Sequence, residues 1–247
     1  MDPPALEATD LHFTYPDGTP ALRGLSFRIE AGEAVGLVGG NGAGKSTLLL
    51  HLIGCLLPAT GAVRVGSVLL EKSSVDRIRR TVGMVFQDPD DQLFMPTVFD
   101  DVAFGPLNHG LPPAAIEGRV RAALECVGME HLRDRPPHRL SGGEKRSVAI
   151  ATVLAMQPDV LVMDEPSSNL DPRARRRLIG WICGFNRTRL IATHDLEFVV
   201  ETCSRVLVLS HGELVAAGPT RQILGDEALM ARHGLESPHI LRHIHPH

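Results

Sequence analysis

The sequence predicts an α/β fold with a mostly parallel main sheet, an N-terminal antiparallel β layer and an inserted helical subdomain. In the last hundred residues, short apolar runs alternate with helical patterns, and this alternation produces parallel sheets. Residues 5–28 carry apolar stretches on either side of a turn-forming cluster at 15–20, which predicts paired strands. Residues 89–157 hold two proline-free helical patterns, which predict a helical insertion.

The individual elements follow from the same patterns in chain order. After the paired strands, a short apolar run at 34–38 predicts a buried strand, and the leucine-rich segment 45–57 predicts a helix. Residues 61–86 are valine-rich and predict further strands. The remaining predictions are helices at 114–127, 143–156, 173–185 and 197–203, and strands at 160–163, 189–192 and 206–209.

The length of 247 residues suits one globular unit with subdomains. We expect residues 1–88 and 158–225 to form the core and residues 89–157 to form the helical subdomain. Residues 226–247 are expected to be a C-terminal tail.

Composition and charge exclude several classes of protein. The net charge is −4, so the sequence lacks the basic excess of a protein that grips nucleic acid through its phosphates. The longest apolar run, 48–57, is interrupted by His51 and is shorter than the roughly 20 residues needed to cross a bilayer. No signal segment opens the chain, and the four cysteines form no CxxC pair, so we expect a reducing cytoplasm.

A phosphate-binding motif follows the strand predicted at 34–38. The segment Gly39-Gly-Asn-Gly-Ala-Gly-Lys-Ser46 fits G-x-x-x-x-G-K-[ST] and precedes a predicted helix. Its glycines allow backbone N–H groups to surround phosphate oxygens, Lys45 reaches the β and γ phosphates, and Ser46 can bind Mg²⁺. A glycine-rich turn without a ligand is the alternative. The expected nucleotide-binding residues are Gly39, Gly40, Asn41, Gly42, Ala43, Gly44, Lys45, Ser46 and Thr47.

Two acids end the apolar run 160–163. Carboxylates at the carboxyl end of a buried strand lie where open α/β sheets bind ligands. Beside a phosphate loop, Asp164 would hold Mg²⁺ and Glu165 would polarise an attacking water. Solvated turn residues are the alternative. Together the two motifs predict a P-loop ATPase core that uses ATP and Mg²⁺.

The segment Leu140-Ser-Gly-Gly-Glu-Lys-Arg146 precedes a predicted helix. Ser141 and Glu144 have the spacing of a capping box, which by itself explains those two residues. Capping does not explain Gly142 and Gly143, because glycine weakens a first helical turn. A phosphate at this helix N-terminus would explain both glycines.

With these motifs the sequence resembles the ATP-binding cassette (ABC) ATPases. Their signature Leu-Ser-Gly-Gly-Gln is matched at residues 140–143, with Glu144 in place of glutamine. The resemblance implies a head-to-tail dimer of identical chains or paralogues. In it, Ser141, Gly142, Gly143 and Glu144 of one subunit close over the γ-phosphate held by Lys45 of the other.

Further positions match the same family. The resemblance implies that Tyr15 stacks on adenine and that Gln87 touches Mg²⁺ and the attacking water. It also implies that Asp171, in the segment 168–171, contacts the opposite subunit and that His194 bonds the γ-phosphate. Taken alone, each has an ordinary alternative in packing or surface exposure.

Residues 83–94 and 101–108 resemble the energy-coupling-factor transporter ATPases, and residues 168–173, 144–146 and 231–235 resemble cobalt and nickel importers. This implies a peripheral protein on the cytoplasmic face of the cell membrane. Its partners would be a transmembrane coupling protein, which inserts near Gln87 and Gln92, and a separate substrate-binding membrane subunit. Another cargo such as a vitamin, or an exporter, stays open, as does a soluble cassette ATPase acting on nucleic acid.

Two charged segments remain. His239, His243, His245 and His247 lie close together at the C-terminus, and imidazole is a good ligand for nickel or cobalt. A terminal segment seldom provides a fixed site, so solvated side chains are expected and weak metal sensing is the alternative. The basic run 173–177 is expected to be a solvated helix face.

Overall fold

The computed structural model describes residues 3–242. The strands are β1 (Leu6–Thr14), β2 (Pro20–Ile29), β3 (Ala34–Val38), β4 (Thr60–Val65), β5 (Val68–Leu69), β6 (Val82–Val85), β7 (Val160–Asp164), β8 (Thr188–Ala192), β9 (Arg205–Ser210) and β10 (Glu213–Pro219). The helices are α1 (Lys45–Leu52), α2 (Val75–Thr81), α3 (Val98–Asn108), α4 (Pro113–Val127), α5 (Gly142–Met156), α6 (Pro172–Gly184), α7 (Leu196–Thr202), α8 (Thr220–Leu224), α9 (Glu227–Arg232) and α10 (His239–Arg242).

The strands form two sheets, and both confirm the predicted fold class. A four-stranded antiparallel sheet has the order β2-β1-β4-β5. The main sheet has the order β10-β9-β3-β8-β7-β6, and all of its neighbours are parallel except the edge pair β10 and β9. Every residue of β3 and β7 is buried, as expected for strands covered on both faces.

Buried apolar side chains form three clusters. One lies between the antiparallel sheet, α1 and one face of the main sheet, with Leu25, Leu48 and Val162 as members. A second covers the opposite face, where Ile182 of α6 and Phe198 of α7 pack on the strands. The third belongs to α3, α4 and α5. The predicted helical insertion therefore has a core of its own.

The observed elements differ from the predicted ones in several places, and helices α3 and α8 were not predicted individually. Helix α1 ends at Leu52 instead of continuing to residue 57, because the chain turns at Gly54 with φ of +67°. The segment predicted as strands at 61–86 contains α2, whose amphipathic signal is weak because only Ile78 in it is buried. Strand β10 was not predicted. The expected tail contains α9 and α10, and Met230 of α9 is fully buried in the second cluster.

No helix within residues 3–242 is both long and apolar enough to span a bilayer.

Candidate functional site

The candidate site lies at the carboxyl edge of the main sheet. Strands β3, β8, β7 and β6 are consecutive neighbours and parallel, so the loops that follow them emerge at one edge. A cleft there is lined by Tyr15, residues 41–47, Gln87, Asp164, Glu165 and His194. The structure therefore brings together most of the residues predicted for nucleotide binding and for hydrolysis, although they come from five separate parts of the chain; Gly39 and Gly40 do not line the cleft.

The phosphate-binding motif forms the loop between β3 and α1. Gly44 precedes α1 with φ of +103°, and a Cβ there would lie 2.7 Å from the carbonyl oxygen of Ala21, so only glycine fits. Among the described residues, no side chain caps the N-terminus of α1. The free amides and positive dipole end of this helix are thus available to an anion in the cleft.

Lys45 brings a buried positive charge to this loop. Its Nζ donates to the carbonyl oxygens of Gly39 at 2.7 Å and Gly40 at 3.1 Å. Burial lowers the pKa of Lys45, while the negative charges of Glu165 and Asp164 oppose that shift. The arrangement suits phosphate oxygens, which would replace carbonyl oxygens as acceptors of the ammonium group.

The residues expected to bind Mg²⁺ are close to one another. Ser46 Oγ donates to Asp164 Oδ2 at 2.9 Å. Burial raises the pKa of Asp164, and the hydrogen bond from Ser46 opposes the increase. A hydroxyl, a carboxylate and the amide of Gln87 are hard oxygen donors, and Mg²⁺ typically takes one or two protein ligands together with phosphates and waters. This donor set fits a magnesium nucleotide.

Glu165 is fixed in an unusual position. Its φ is +46°, and a left-handed backbone at a residue other than glycine costs about 1–3 kcal/mol and is concentrated at functional sites. Its buried carboxylate accepts from Thr193 Oγ1 at 2.8 Å and from the backbone N–H of His194 at 3.0 Å. The His194 imidazole is 71% exposed, and its Nδ1 lies 2.9 Å from Glu165 Oε1. The two side chains therefore face the cleft as one unit.

Thr193 is a site residue that the sequence reasoning missed. It is fully buried, donates to Glu165 and accepts from the backbone N–H of Asp195 at 3.0 Å. The available signal was a hydroxyl residue directly between an apolar strand and a candidate histidine.

Tyr15 lines the cleft and is half-buried. Its hydroxyl lies 3.0 Å from Thr47 Oγ1, and its ring meets the Phe13 ring edge-on with centroids 5.1 Å apart. These contacts fix the ring beside the phosphate loop while leaving part of it exposed in the cleft.

The signature segment 140–144 lies outside this cleft, at the N-terminus of α5. The predicted capping box is present: Ser141 Oγ accepts from the Glu144 backbone N–H at 3.3 Å, and Glu144 Oε2 accepts from the Ser141 N–H at 2.7 Å and its hydroxyl at 2.8 Å. These bonds lower the pKa of Glu144. Apart from its chain neighbours and the backbone of α5 itself, a Cβ at Gly142 or Gly143 would have no atom of the described residues within 4 Å. The packing of the chain itself therefore does not require either glycine.

Asp171 and Gln92 have local roles that the sequence did not reveal. Asp171 caps α6, because its Oδ1 accepts from the backbone N–H groups of Arg173 and Ala174, both at 2.8 Å. The side chain of Gln92 turns inward and donates to the carbonyl oxygen of Ala149 on α5 at 2.8 Å. Of the two glutamines expected near a membrane partner, only Gln87 is exposed.

Of the four C-terminal histidines, only His239 lies among the residues that the structure describes. His239 is exposed, and His243, His245 and His247 lie outside the described residues. Within residues 3–242, no group of three or more His, Cys, Asp or Glu side chains could hold a metal ion.

The fold and the cleft define a P-loop nucleotide hydrolase, and comparison with known proteins identifies its family. Residues 22–168 match the model of the ABC transporter family. A Geobacter sulfurreducens protein assigned provisionally to the ABC transporter ATP-binding proteins is 60% identical over 94% of both chains. The energy-coupling factor transporter ATP-binding protein EcfA of Methanothermobacter thermautotrophicus is 49% identical over 94% of this chain and 76% of its own.

Solved structures agree with this result. The structure of cbiO1 from Clostridium perfringens, part of the ABC transporter complex cbiONQ, has a TM-score of 0.82 and 37% identity over 98% of both chains. A dimeric ATP-binding cassette in a post-hydrolysis state, bound to ADP and Pi, has a TM-score of 0.79 and 25% identity, and the match covers 87% of this chain and 98% of that one. The chain belongs to the ABC transporter family. It is an ATP-hydrolysing transport cassette that uses ATP with Mg²⁺.

Replacing Thr193 with valine tests the hydrogen bond that holds Glu165. Because a hydrogen bond to a charged group contributes about 1.5–3 kcal/mol, we expect Thr193→Val to lower ATP turnover by about 10- to 100-fold while the affinity for ATP is kept. Steady-state turnover and equilibrium binding of a fluorescent ATP analogue measure the two effects. Thr188→Val is the matched control, since this buried threonine accepts a bond from Gly32 away from the cleft. Equal turnover in both variants would contradict the role of Thr193.

Proposed function

We propose that this chain is the ATP-hydrolysing subunit of an energy-coupling importer for cobalt or nickel ions, which works as a dimer on the cytoplasmic face of the membrane. The observation that carries the proposal is the convergence of Lys45, Ser46, Asp164 and Glu165 in one cleft that excludes the signature segment of the same chain. A site that is completed by a second subunit couples ATP hydrolysis to the relative movement of the two subunits.

The residues of the cleft have distinct roles in this proposal. The amides of residues 39–47 and the Lys45 ammonium group bind the phosphates, and Tyr15 stacks on the adenine. Ser46, Asp164 and Gln87 would hold Mg²⁺, which neutralises charge on the phosphate oxygens when bound.

Glu165 and His194 act at the γ-phosphate. Thr193 and the backbone N–H of His194 hold the carboxylate of Glu165 in place. This carboxylate can accept a hydrogen bond from the attacking water and orient that water. The exposed His194 imidazole can bond a γ-phosphate oxygen.

The second subunit would supply the signature segment. Gly142 and Gly143 carry no side chain and are exposed or half-buried, so the first turn of α5 stays accessible to a partner molecule beside the Ser141–Glu144 cap, and the N-terminus of a helix favours a phosphate. A dimeric relative with bound ADP and Pi supports a head-to-tail dimer of this chain or of the chain with a paralogue. Asp171 would contact the opposite subunit in the same dimer interface.

An apolar surface on the helical subdomain fits the transmembrane coupling protein. Phe94, Phe104 and Leu107 are 62%, 41% and 62% exposed, and the two phenylalanine rings stack edge-on with centroids 5.1 Å apart. Phe94 follows the loop that carries Gln87. We call Phe94, Phe104 and Leu107 the docking surface. A helix of the membrane partner lying on it would be sensed by Gln87.

The cargo belongs to a separate substrate-binding membrane subunit. Cobalt or nickel is proposed from the resemblance of residues 144–146, 168–173 and 231–235 to metal importers. A vitamin is the competing cargo within the same mechanism.

The catalytic role and the cargo can be tested together. The complex of this chain with its native membrane partners is reconstituted in vesicles, and ATP-dependent uptake of labelled Co²⁺ and Ni²⁺ is followed beside vitamins. We expect Glu165→Gln to keep ATP binding, to lose turnover by more than about 100-fold and to abolish metal uptake, because the amide cannot act as a base. Unchanged turnover in this variant would remove Glu165 from the proposal. Turnover without metal uptake would discard the metal cargo.

The two glycines in the first turn of α5 predict a selective effect on dimerisation. Gly143→Ala should leave thermal stability unchanged or slightly raised, because within residues 3–242 the methyl group would contact nothing beyond its chain neighbours and the backbone of α5, and alanine favours a helix. In the Glu165→Gln background, we expect it to weaken ATP-dependent dimerisation by at least about tenfold, as measured by sedimentation. Gly118→Ala on α4 is the control, since a Cβ at this glycine would likewise contact nothing among the described residues beyond its chain neighbours and the backbone of its own helix. Equal dimerisation in both variants would speak against the trans contact.

The docking surface predicts an effect on assembly alone. We expect Phe94→Ser to weaken binding to the detergent-solubilised coupling protein by about tenfold, because its exposed ring would be buried in the complex. The turnover of the isolated chain should change less than about twofold. Leu57→Ser is the control, since Leu57 is an exposed apolar residue in the connection between α1 and β4, outside the helical subdomain. Unchanged assembly of Phe94→Ser would exclude this surface.

A further inference from the structure

Side chains hold the loop that carries Gln87 against helix α5. Some of these side chains belong to the loop and the others belong to the helix. This loop, which we call the 86–92 loop, connects β6 to the helical subdomain. Three polar side chains join it to α5, and they come from Arg146, Gln92 and Lys145. Their contacts occur within the first three turns of the helix that begins at Gly142.

Arg146 makes the central link. Its Nη1 donates to the carbonyl oxygen of Phe86 at 2.7 Å, and its Nη2 donates to the carbonyl oxygen of Gln87. The guanidinium therefore holds both carbonyls of the peptide pair at which the loop begins. At Gln87, Arg146 bonds only the backbone carbonyl. The exposed side chain of Gln87 therefore stays available to the cleft.

Burying the Arg146 guanidinium costs free energy, which indicates that this side chain does more than pack against its neighbours. Arg146 is only 3% exposed, and its Nε has no partner among the described residues. Burial lowers the pKa of its guanidinium, and the charges of Asp88, Asp164 and Glu165 offset only part of this effect. A buried charge without an ion pair is often less stable than an apolar side chain of similar volume. An apolar residue would cover α5 but could not hold two carbonyl oxygens.

Gln92 and Lys145 secure the other end of the loop. Gln92 Nε2 donates to Ala149 O at 2.8 Å and Thr152 Oγ1 at 2.6 Å, while its Oε1 accepts from the backbone N–H of Phe86 at 3.2 Å. Lys145 Nζ lies 2.6 Å from Asp90 Oδ1. The loop is thus held at its beginning, middle and end on one helix.

We propose that Arg146 is a positioning residue that fixes the backbone at Gln87 to α5, so that Gln87 and the signature segment move as one unit. The proposal rests on the proposed function, in which Gln87 serves the nucleotide of its own subunit and the signature serves the nucleotide of the partner. Arg146 then couples the two nucleotide sites of the dimer. A displacement of the 86–92 loop by a membrane partner reaches both sites at once.

The first test uses the nucleotide-free chain and does not depend on catalysis. Hydrogen–deuterium exchange is measured for peptides covering residues 86–92 in the wild type and in Arg146→Lys, because one ammonium group cannot reproduce the two-pronged contact. We expect exchange in these peptides to accelerate by about tenfold. Arg119→Lys is the matched control, since Arg119 Nη1 donates to the carbonyl oxygens of Ala155 and Met156 at the opposite end of α5. Equal exchange in the wild type and Arg146→Lys would overturn the proposal.

The second test asks whether Arg146 acts through Gln87. We expect Arg146→Lys to lower ATP turnover by about tenfold in the wild-type background but by less than about twofold in the Gln87→Ala background. Losses that multiply independently would overturn the positioning role. Complete absence of turnover in the wild-type chain would instead contradict the proposed function, and the exchange result would still decide the contact.

A milder variant covers the case in which Arg146→Lys does not fold. Lys145→Ala removes only the link to Asp90, which is 66% exposed, and should accelerate exchange in the 86–92 loop by about threefold. Lys72→Ala, at an exposed lysine outside this loop, should leave it unchanged. Equal exchange in the two lysine variants would count against the proposal.

Discussion

The parallel pairing of β3, β8, β7 and β6 is the constraint on which the site depends. Because parallel neighbours end at the same edge, four loops that are far apart in the chain open into one cleft. The pairing also continues beyond the strands. The backbone N–H of Thr193 donates to Leu37 O at 3.1 Å, and that of Glu165 donates to Ala192 O at 2.8 Å. These bonds fix the first residues of the loops relative to one another. The carboxylate of Glu165 therefore contacts Thr193 and His194 through backbone that is itself hydrogen-bonded to the neighbouring strands.

A second constraint comes from the charges that this edge buries. Lys45, Asp164 and Glu165 are all removed from water, and each would be costly alone. The structure offsets the cost with hydrogen bonds: Asp164 accepts from Ser46, Glu165 accepts from Thr193, and Lys45 donates to the carbonyl oxygens of the loop. The same bonds leave the charged atoms fixed around the cleft. Stability and readiness to bind a charged nucleotide therefore have the same source, since a preorganised polar site needs little reorganisation when a ligand arrives.

The sequence predicted what depends on local pattern and missed what depends on distant contact. The phosphate loop, the two acids at the carboxyl end of β7 and the capping box at Ser141 each occupy a short segment whose spacing carries the chemistry. Helix α2 and strand β10 escaped prediction because neither buries a regular apolar face. The inward turn of Gln92 was equally invisible, because its partner Ala149 lies 57 residues further along the chain. Sequence spacing cannot specify such a contact until the packing of α5 against β6 is known.

In a single chain, the hydroxyl of Ser141 is already engaged in a hydrogen bond within the signature segment. This hydroxyl has one proton, which it donates to Glu144 at 2.8 Å. In the proposed dimer, donation to a phosphate of the opposite subunit requires this bond to break. Glu144 would still accept from the backbone N–H of Ser141 at 2.7 Å, so the helix cap survives the exchange. The capping box thus holds the signature segment in shape while leaving one donor free to change its partner, and Arg146, just over one turn along the same helix, links that end of α5 to Gln87.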